Sequence, residues 1–231
     1  MRTINLANKL ISKSHKVTVL SSDFYHQKKI HRYKKFSKIK ISKNLAIHLI
    51  PSSGYNKNIG IARLCDHMLL GFNLLKYLKR NRSNLPDLVF IGYPPIETAY
   101  FAVKWFKKLG IPSIVDIKDL WPTFFLEPFP KKYRFAIKVF LLPYFYLASK
   151  TIKNSFAISS PTQGYLNWSY QFSGRIPSNS DSINPLTNPI KNYSKEDLNE
   201  AQYWWQKFDV NNKHNKRICF VGSFMTVFEF S

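Results

Sequence analysis

The stretch Ile111–Pro122, IPSIVDIKDLWP, decides the fold. Its centre, Ser113–Asp116, reads as a short buried strand bounded by Gly110 and by a polar loop with Asp116, Lys118, Asp119, Trp121 and Pro122. In an open parallel sheet, ligands sit beyond the carboxyl ends of the strands. Two acids, one base and a Trp at such an end are placed for chemistry. A plain structural reading stands beside this one. In it Asp119 caps the next turn, Trp121 belongs to the core and Pro122 ends the strand.

Working outward from this stretch, the pattern alternates between strand and helix. Upstream, Ile96–Leu109 has helical spacing and Gly110 stops it. Asp87–Ile91 (DLVFI) is apolar on both faces, as parallel strands are, and Gly92-Tyr93-Pro94-Pro95 forces an extended exit. Ile61–Leu78 is a long helix with Ile61, Leu64, Cys65, Met68, Leu69, Phe72, Leu75 and Leu78 on one face, which makes His67 a surface or internally satisfied histidine. Pro51–Gly60 is turn-rich, and Leu45–Ile50 is a strand. At the start, Arg2–Ser14 is an amphipathic helix leading into the strand Lys16–Leu20. A βαβ crossover normally places a strand before such a helix, so the chain is expected to begin one element late.

Downstream, Lys131–Ile152 is the most apolar stretch, kinked at Pro143, and its uncharged run is too short to span a bilayer. With Lys131, Lys132, Arg134 and Lys138 beside Phe140, Tyr144, Phe145 and Tyr146, it reads either as a helix lying in a membrane interface or as a buried packing helix. Ser155–Ile158 is a fifth strand, with Ser159-Ser160-Pro161 capping the next helix. Gly174–Pro189 is loop. Ser194–Lys207 is a helix with a capping box from Ser194 and Asp197. Arg217–Val221 (RICFV) reads as the opening strand of a second domain. The expected organisation is one α/β, doubly wound, mostly parallel domain over residues 1–210, then a linker and a first strand over 211–231.

Composition narrows the function classes. Of 231 residues, 45% are hydrophobic and 16% aromatic, which requires a packed core and excludes a disordered chain. The net charge is +22, from 35 Lys and Arg against 13 Asp and Glu. That field favours anionic partners: nucleic acid, anionic lipid or phosphorylated substrates. Lys28–Lys43 concentrates it, with Lys28, Lys29 and Arg32 among eight basic residues and no acid. This stretch is either a basic loop facing phosphates or a membrane, or a solvated loop of a lysine-rich chain. The two cysteines, Cys65 and Cys219, lack metal-ligand spacing, so no metal and no disulfide framework is expected. No P-loop, HExxH, GxSxG or complete Rossmann glycine fingerprint occurs.

Three segments together resemble one family. RTINLANKLISKSHKVTVLSSDF (Arg2–Phe24) looks like the first helix and second strand of glycosyltransferase family 4 enzymes. LPDLVFIGYPP (Leu85–Pro95) and IPSIVDIKDLWP look like the branch that builds bacterial surface polysaccharides, whose pattern is "PD.vi.s.PP" and "D.RDLWPE". Arg63 sits where that branch tends to have an Arg. The likeness runs from Arg2 to about Gly222. The chain departs from the pattern at Lys118 (Arg in the family), Thr123 (Glu) and Ser14 (Gly), and it lacks the glycine-loop strand and most of a donor domain.

The resemblance implies the acceptor-side half of a GT-B enzyme, in which two doubly wound domains flank the active site. It implies transfer of a sugar from a nucleotide-sugar to a lipid-linked or saccharide acceptor, with retained anomeric configuration and no metal or cofactor. It implies Asp119 as the catalytic acceptor-side group. Asp116, Lys118, Trp121, Ser22, Asp23, Tyr93, Pro94 and Pro95 would line the substrate crevice. Lys28, Lys29, Arg32, Lys131, Lys132, Arg134 and Lys138 would meet membrane or phosphate. The implied location is cytoplasmic, with peripheral contact at the inner face of the plasma membrane. Two rivals stand: an acceptor- or lipid-binding module or inert fragment without catalysis, and a basic nucleic-acid binder. The aromatics lie in core-like runs and no recognition motif appears, which weighs against the latter.

Overall fold

A computed structural model describes residues 2–33, 37–57, 60–127, 129–185 and 192–208. They divide into two compact units, residues 1–188 and 189–231. The expected strand Arg217–Val221 lies outside the described residues.

The first unit is a mixed, Rossmann-like α/β fold. Its larger sheet is all-parallel and has four strands in the order β6 (Val89–Tyr93), β7 (Ser113–Ile117), β8 (Ala157–Ser160), β9 (Ser182–Ile183). Each neighbour is reached through a helix: α3 (Ile96–Lys108) leads from β6 to β7, α5 (Leu142–Asn154) leads into β8, and α6 (Gln163–Ser173) leads on to β9. A second sheet holds β1 (Val17–Ser22), β5 (Leu45–Ile50) and β4 (Ser37–Lys40), with β1 and β5 parallel and β4 antiparallel to β5. Helix α1 (Arg2–Ser12) feeds β1, and α2 (Ile61–Arg80) packs on both α3 and β5. Among the described residues β1 and β6 each have one edge that no strand pairs.

The core follows from the strand patterns. Val115 and Ile117 of β7, Tyr93 of β6 and Ile158 of β8 pack against Ile96, Ala99 and Val103 of α3 and Ala148 and Ile152 of α5, all essentially inaccessible to water. Burying such side chains stabilises by roughly 1.5–3 kcal/mol each. Ala99 and Ala148 are small enough to let α3 and α5 approach closely. Gly110, at φ 71°, ends α3 in the left-handed conformation that glycine tolerates best.

Several sequence expectations shift. The basic stretch Lys28–Lys43 is not one loop. Ile30–His31 (β3) pairs with Phe24–Tyr25 (β2), and Ser37–Lys40 forms the edge strand β4, whose alternating Lys38 and Lys40 suit a solvated edge. The apolar stripe assigned to α2 is largely outward: Ile61 is 78% exposed and Phe72 54%. The buried side of α2 is Asp66, His67, Gly71 and Leu78, because this helix packs on α3 through a polar end and a glycine. The fifth strand is displaced to Ala157–Ser160, and the cap of α6 is Thr162, whose Oγ1 accepts from the Tyr165 N–H. Pro143, which has no N–H to continue the upstream helix, splits the long apolar stretch into α4 (Lys131–Phe140) and α5, bent by 72°.

In the second unit, helix α7 (Lys195–Lys207) begins with the expected capping box. Ser194 Oγ accepts from the Asp197 N–H, and the Asp197 carboxylate accepts from the Ser194 N–H.

One long-range contact ties the amino-terminal helix to the larger sheet. Arg2 Nη2 donates to Asp116 Oδ1 at 2.9 Å, and Arg2 Nη1 donates to the Asn184 carbonyl at 2.6 Å. Asp116 is fully buried and Arg2 only 18% exposed. Removing one partner of a buried pair leaves an uncompensated charge. Arg2→Ala is therefore expected to lower unfolding free energy by about 3 kcal/mol in urea denaturation. Asp116→Asn in the Arg2→Ala background should recover part of that loss.

Candidate functional site

The parallel strands β1, β5, β6, β7 and β8 end at Ser22, Ile50, Tyr93, Ile117 and Ser160. The loop after β7 is held by its backbone. Lys118 N–H donates to the Tyr93 carbonyl at 2.9 Å, and the Tyr93 hydroxyl donates to the Trp121 carbonyl. Gly92 leaves room for Lys118, since a Cβ there would lie 3.1 Å from Lys118 Nζ. A turn of 3₁₀ helix, Thr123–Leu126, follows Pro122.

This loop displays Asp119 to solvent and holds Trp121 half-buried. Trp121 packs against three side chains: the Phe125 ring is 4.5 Å away and tilted, the His67 ring stacks at 6.2 Å and 30°, and the Arg63 guanidinium lies 4.8 Å from its centroid. Arg63 is also 5.6 Å from the ring of Tyr55, and Lys29 Nζ is 4.3 Å from that same ring. Cations over aromatic faces are held by the ring quadrupole. Tyr55 is positioned by Asp66, whose Oδ1 accepts from the Gly54 N–H at 2.6 Å and from Ser53 Oγ at 3.1 Å. The result is an aromatic corner edged by Arg63, Lys29 and Lys118, with Asp119 at its rim.

The corner is electropositive, and neighbouring groups register it. His26 is held below its ordinary value by burial and by Lys29 and Arg63. His67 is driven down to about 4, by burial first and by Arg63 second, against a smaller pull from Asp66. Asp119 is pushed up by partial burial, with Lys118 and Arg63 pulling it back.

Behind Trp121 lies a buried acid. Glu97, in the first turn of α3, is 1% exposed; its Oε1 accepts from the Tyr144 hydroxyl at 2.7 Å, while Oε2 faces His67 Nδ1 at 3.8 Å. Neither of those two facing atoms has a hydrogen-bond partner among the described residues. Burial pushes the Glu97 carboxyl up, and the Tyr144 bond, a backbone bond and Arg63 only partly oppose this. Both members of the pair are thus driven toward their neutral forms.

The expected site residues divide. Asp119, Lys118 and Trp121 come together in one loop, and Pro94 and Pro95, partly exposed, leave β6 beside it. Tyr93, Asp116 and Asp23 are turned inward instead. Tyr93 braces the loop, Asp116 accepts from Arg2 and from Ser159 Oγ at 2.8 Å, and Asp23 accepts from the Ser52 N–H at 2.9 Å and faces His31 at 3.2 Å. Ser22 Oγ donates to Ser52 Oγ at 3.0 Å. These polar side chains are spent on joining strand ends, because a buried polar group without a partner is costly. Of the basic residues, Lys29 lies at the corner, Lys28 is exposed, and Arg32 stacks over Tyr25 at 5.2 Å.

Tyr55, Asp66 and Glu97 escaped the sequence reading, and Arg63 was noted only for its position; His67, expected at the surface or internally satisfied, is instead buried with Nδ1 unpartnered among the described residues, because α2 turns its polar face inward. One signal was present: Arg63, Asp66, His67 and Gly71 recur at helical spacing, which marks a polar, close-packed face of α2. No protein-family model matches the chain, and no curated protein sequence matches it.

The raised Glu97 fixes the sign of a pH effect. Above the ordinary glutamate value of 4.5 the unfolded chain loses this proton before the folded one does, so Glu97 detracts from stability as pH rises. Glu97→Gln should therefore become progressively more stabilising, relative to the parent, as pH rises above the ordinary glutamate value in urea denaturation. The opposite trend would mean an ionised Glu97 paired with its cationic neighbours.

Proposed function

We propose that the chain is the acceptor-side domain of a glycosyltransferase that transfers a sugar from a nucleotide-sugar to a lipid-linked or saccharide acceptor in surface-polysaccharide synthesis. The observation that carries the reading is the loop after β7. It places a solvent-facing carboxylate, Asp119, beside a half-buried Trp and three basic side chains at the carboxyl end of a parallel sheet. The sequence likeness of IKDLWP and GYPP supplies the reaction class.

In this reading Asp119 accepts a hydrogen bond from the acceptor hydroxyl and aims its oxygen at the anomeric carbon. A new C–O bond forms there as the bond to the diphosphate breaks, and the hydroxyl proton passes to the departing diphosphate oxygen. Fixing that approach converts a bimolecular encounter into an oriented one. Arg63, Lys29 and Lys118 stabilise phosphate charge, and a preorganised cationic corner does so without reorganising. Trp121 offers a flat apolar surface to a sugar ring. Nucleic-acid binding is less well supported: the aromatics nearest the cations are packed on Phe125, His67 and Phe24 rather than splayed for base stacking.

The test is transfer from labelled nucleotide-sugars to a polyprenyl-phosphate-linked saccharide by a full-length enzyme in which this domain is joined to a donor-binding domain, with acceptor binding followed by calorimetry. Asp119→Asn should cut turnover by about 10²-fold or more while leaving the melting temperature and acceptor affinity near the parent values. Unchanged turnover would remove Asp119 from the reaction. Acceptor binding with no transfer from any donor would instead make the protein a binding module.

A further inference from the structure

None of the residues of helix α4 is buried. Phe135 is 79% exposed and Phe140 81%, and Val139 and Leu142 are about half exposed. These are too large and too close together to be scattered surface apolars. On a helical wheel Phe135, Ala136, Val139 and Phe140 fall on the outward side, with Lys131, Lys132 and Lys138 along it and at its flank. Arg134 is the exception among the basic residues. It turns back to donate to the carbonyls of Phe129 at 2.9 Å and Glu127 at 3.1 Å, so it fastens α4 to the preceding loop.

We infer that α4 docks the protein on an anionic lipid bilayer, lying in the interface with Phe135, Val139 and Phe140 among the acyl chains and the lysines at headgroup level. The charge distribution selects this occupant. From residue 128 to residue 180 the chain has seven Lys and Arg and no Asp or Glu. A second copy would bring the same basic face against itself, whereas an anionic surface complements it. Geometry sets the depth. No single helix among the described residues is long and apolar enough to cross a membrane, and the 72° bend between α4 and α5 turns the chain back toward its own sheet, where Ala148 and Ile152 are buried. An amphipathic helix with a lysine-edged apolar face lies in the interface rather than spanning it. The loop carrying Asp119 leads directly into α4 through the turn at Thr123–Leu126, so docking sets that loop beside the lipid surface.

The inference does not depend on sugar transfer, and vesicles without any saccharide test it. The protein is sedimented with vesicles of phosphatidylcholine alone and of phosphatidylcholine mixed with phosphatidylglycerol. Binding should require phosphatidylglycerol and weaken with salt. Lys131→Glu/Lys132→Glu/Lys138→Glu should weaken it by about 10²-fold. Phe135→Ser/Phe140→Ser should weaken it by about tenfold or more, while Phe135→Leu/Phe140→Leu retains it. Both pairs are surface changes and should leave the melting curve unaltered. Failure to bind, or binding indifferent to the phenylalanine substitutions, overturns the inference. So does a concentration-dependent dimer that Phe135→Ser/Phe140→Ser abolishes, without vesicle binding.

Discussion

A carboxylate sealed at the outgoing end of β7 is the constraint around which this fold is arranged. Asp116 has no exposure, and a charge there is tolerable only with partners. Arg2 supplies one from the amino-terminal helix, Ser159 supplies another from β8, and Asn184 holds Ser159 in turn at 3.1 Å. One buried oxygen thus draws together the first helix, two central strands and the segment after β9. Strands so joined cannot slide in register, because a shift of one residue would turn Asp116 to the opposite face of the sheet. The exits of the strands are held by the same network, and the loop that presents Asp119 starts two residues beyond it.

The residues of β7 that make it legible in the sequence are the ones that bury it. A β-branched run between Gly110 and a polar loop admits one reading, and so does the helix before it, whose end is punctuated by glycine. β4 was hidden for a physical reason. An edge strand needs few apolar residues on its solvent side, and a Lys-rich alternation such as SKIK looks like loop until a neighbour pairs with it. α2 misled in the opposite direction. Its large apolar residues pointed to a conventional buried stripe, yet the helix turns Gly71 toward α3 and Arg63, Asp66 and His67 toward the loops. A Cβ on Gly71 would come within 2.8 Å of the Phe101 ring, which shows how closely the two helices approach. A period identifies a helix; it does not say which of two faces the neighbour will accept.

The site was legible in place rather than in composition. IKDLWP announced a loop at a strand end with charge and an aromatic, and those residues do meet. Which polar side chains face out was not readable, since Asp116 and Asp119 are both acids of one short segment. Their fates differ through strand geometry: Asp116 is still in the pleat and points into the domain, whereas Asp119 lies past the last ladder position at Ile117. Tyr55, His67 and Glu97 come from three separate segments, and only packing brings them behind Trp121.

Those buried groups give the corner a property that the exposed residues alone would lack. A Trp on a surface loop is free to reorient, but Trp121 is fixed by its own carbonyl to Tyr93, by its ring to Phe125 and His67, and by Arg63 above. Burial drives His67 and Glu97 toward their neutral forms, which limits the charge beneath the ring, while Arg63, Lys29 and Lys118 carry the positive charge near the rim. A ligand carrying phosphate then meets a positive, rigid surface whose counter-charges are few and whose one exposed acid, Asp119, stands at the edge. Rigidity behind the ring and positive charge at its border are separate requirements, and α2 meets both with residues one helical turn apart.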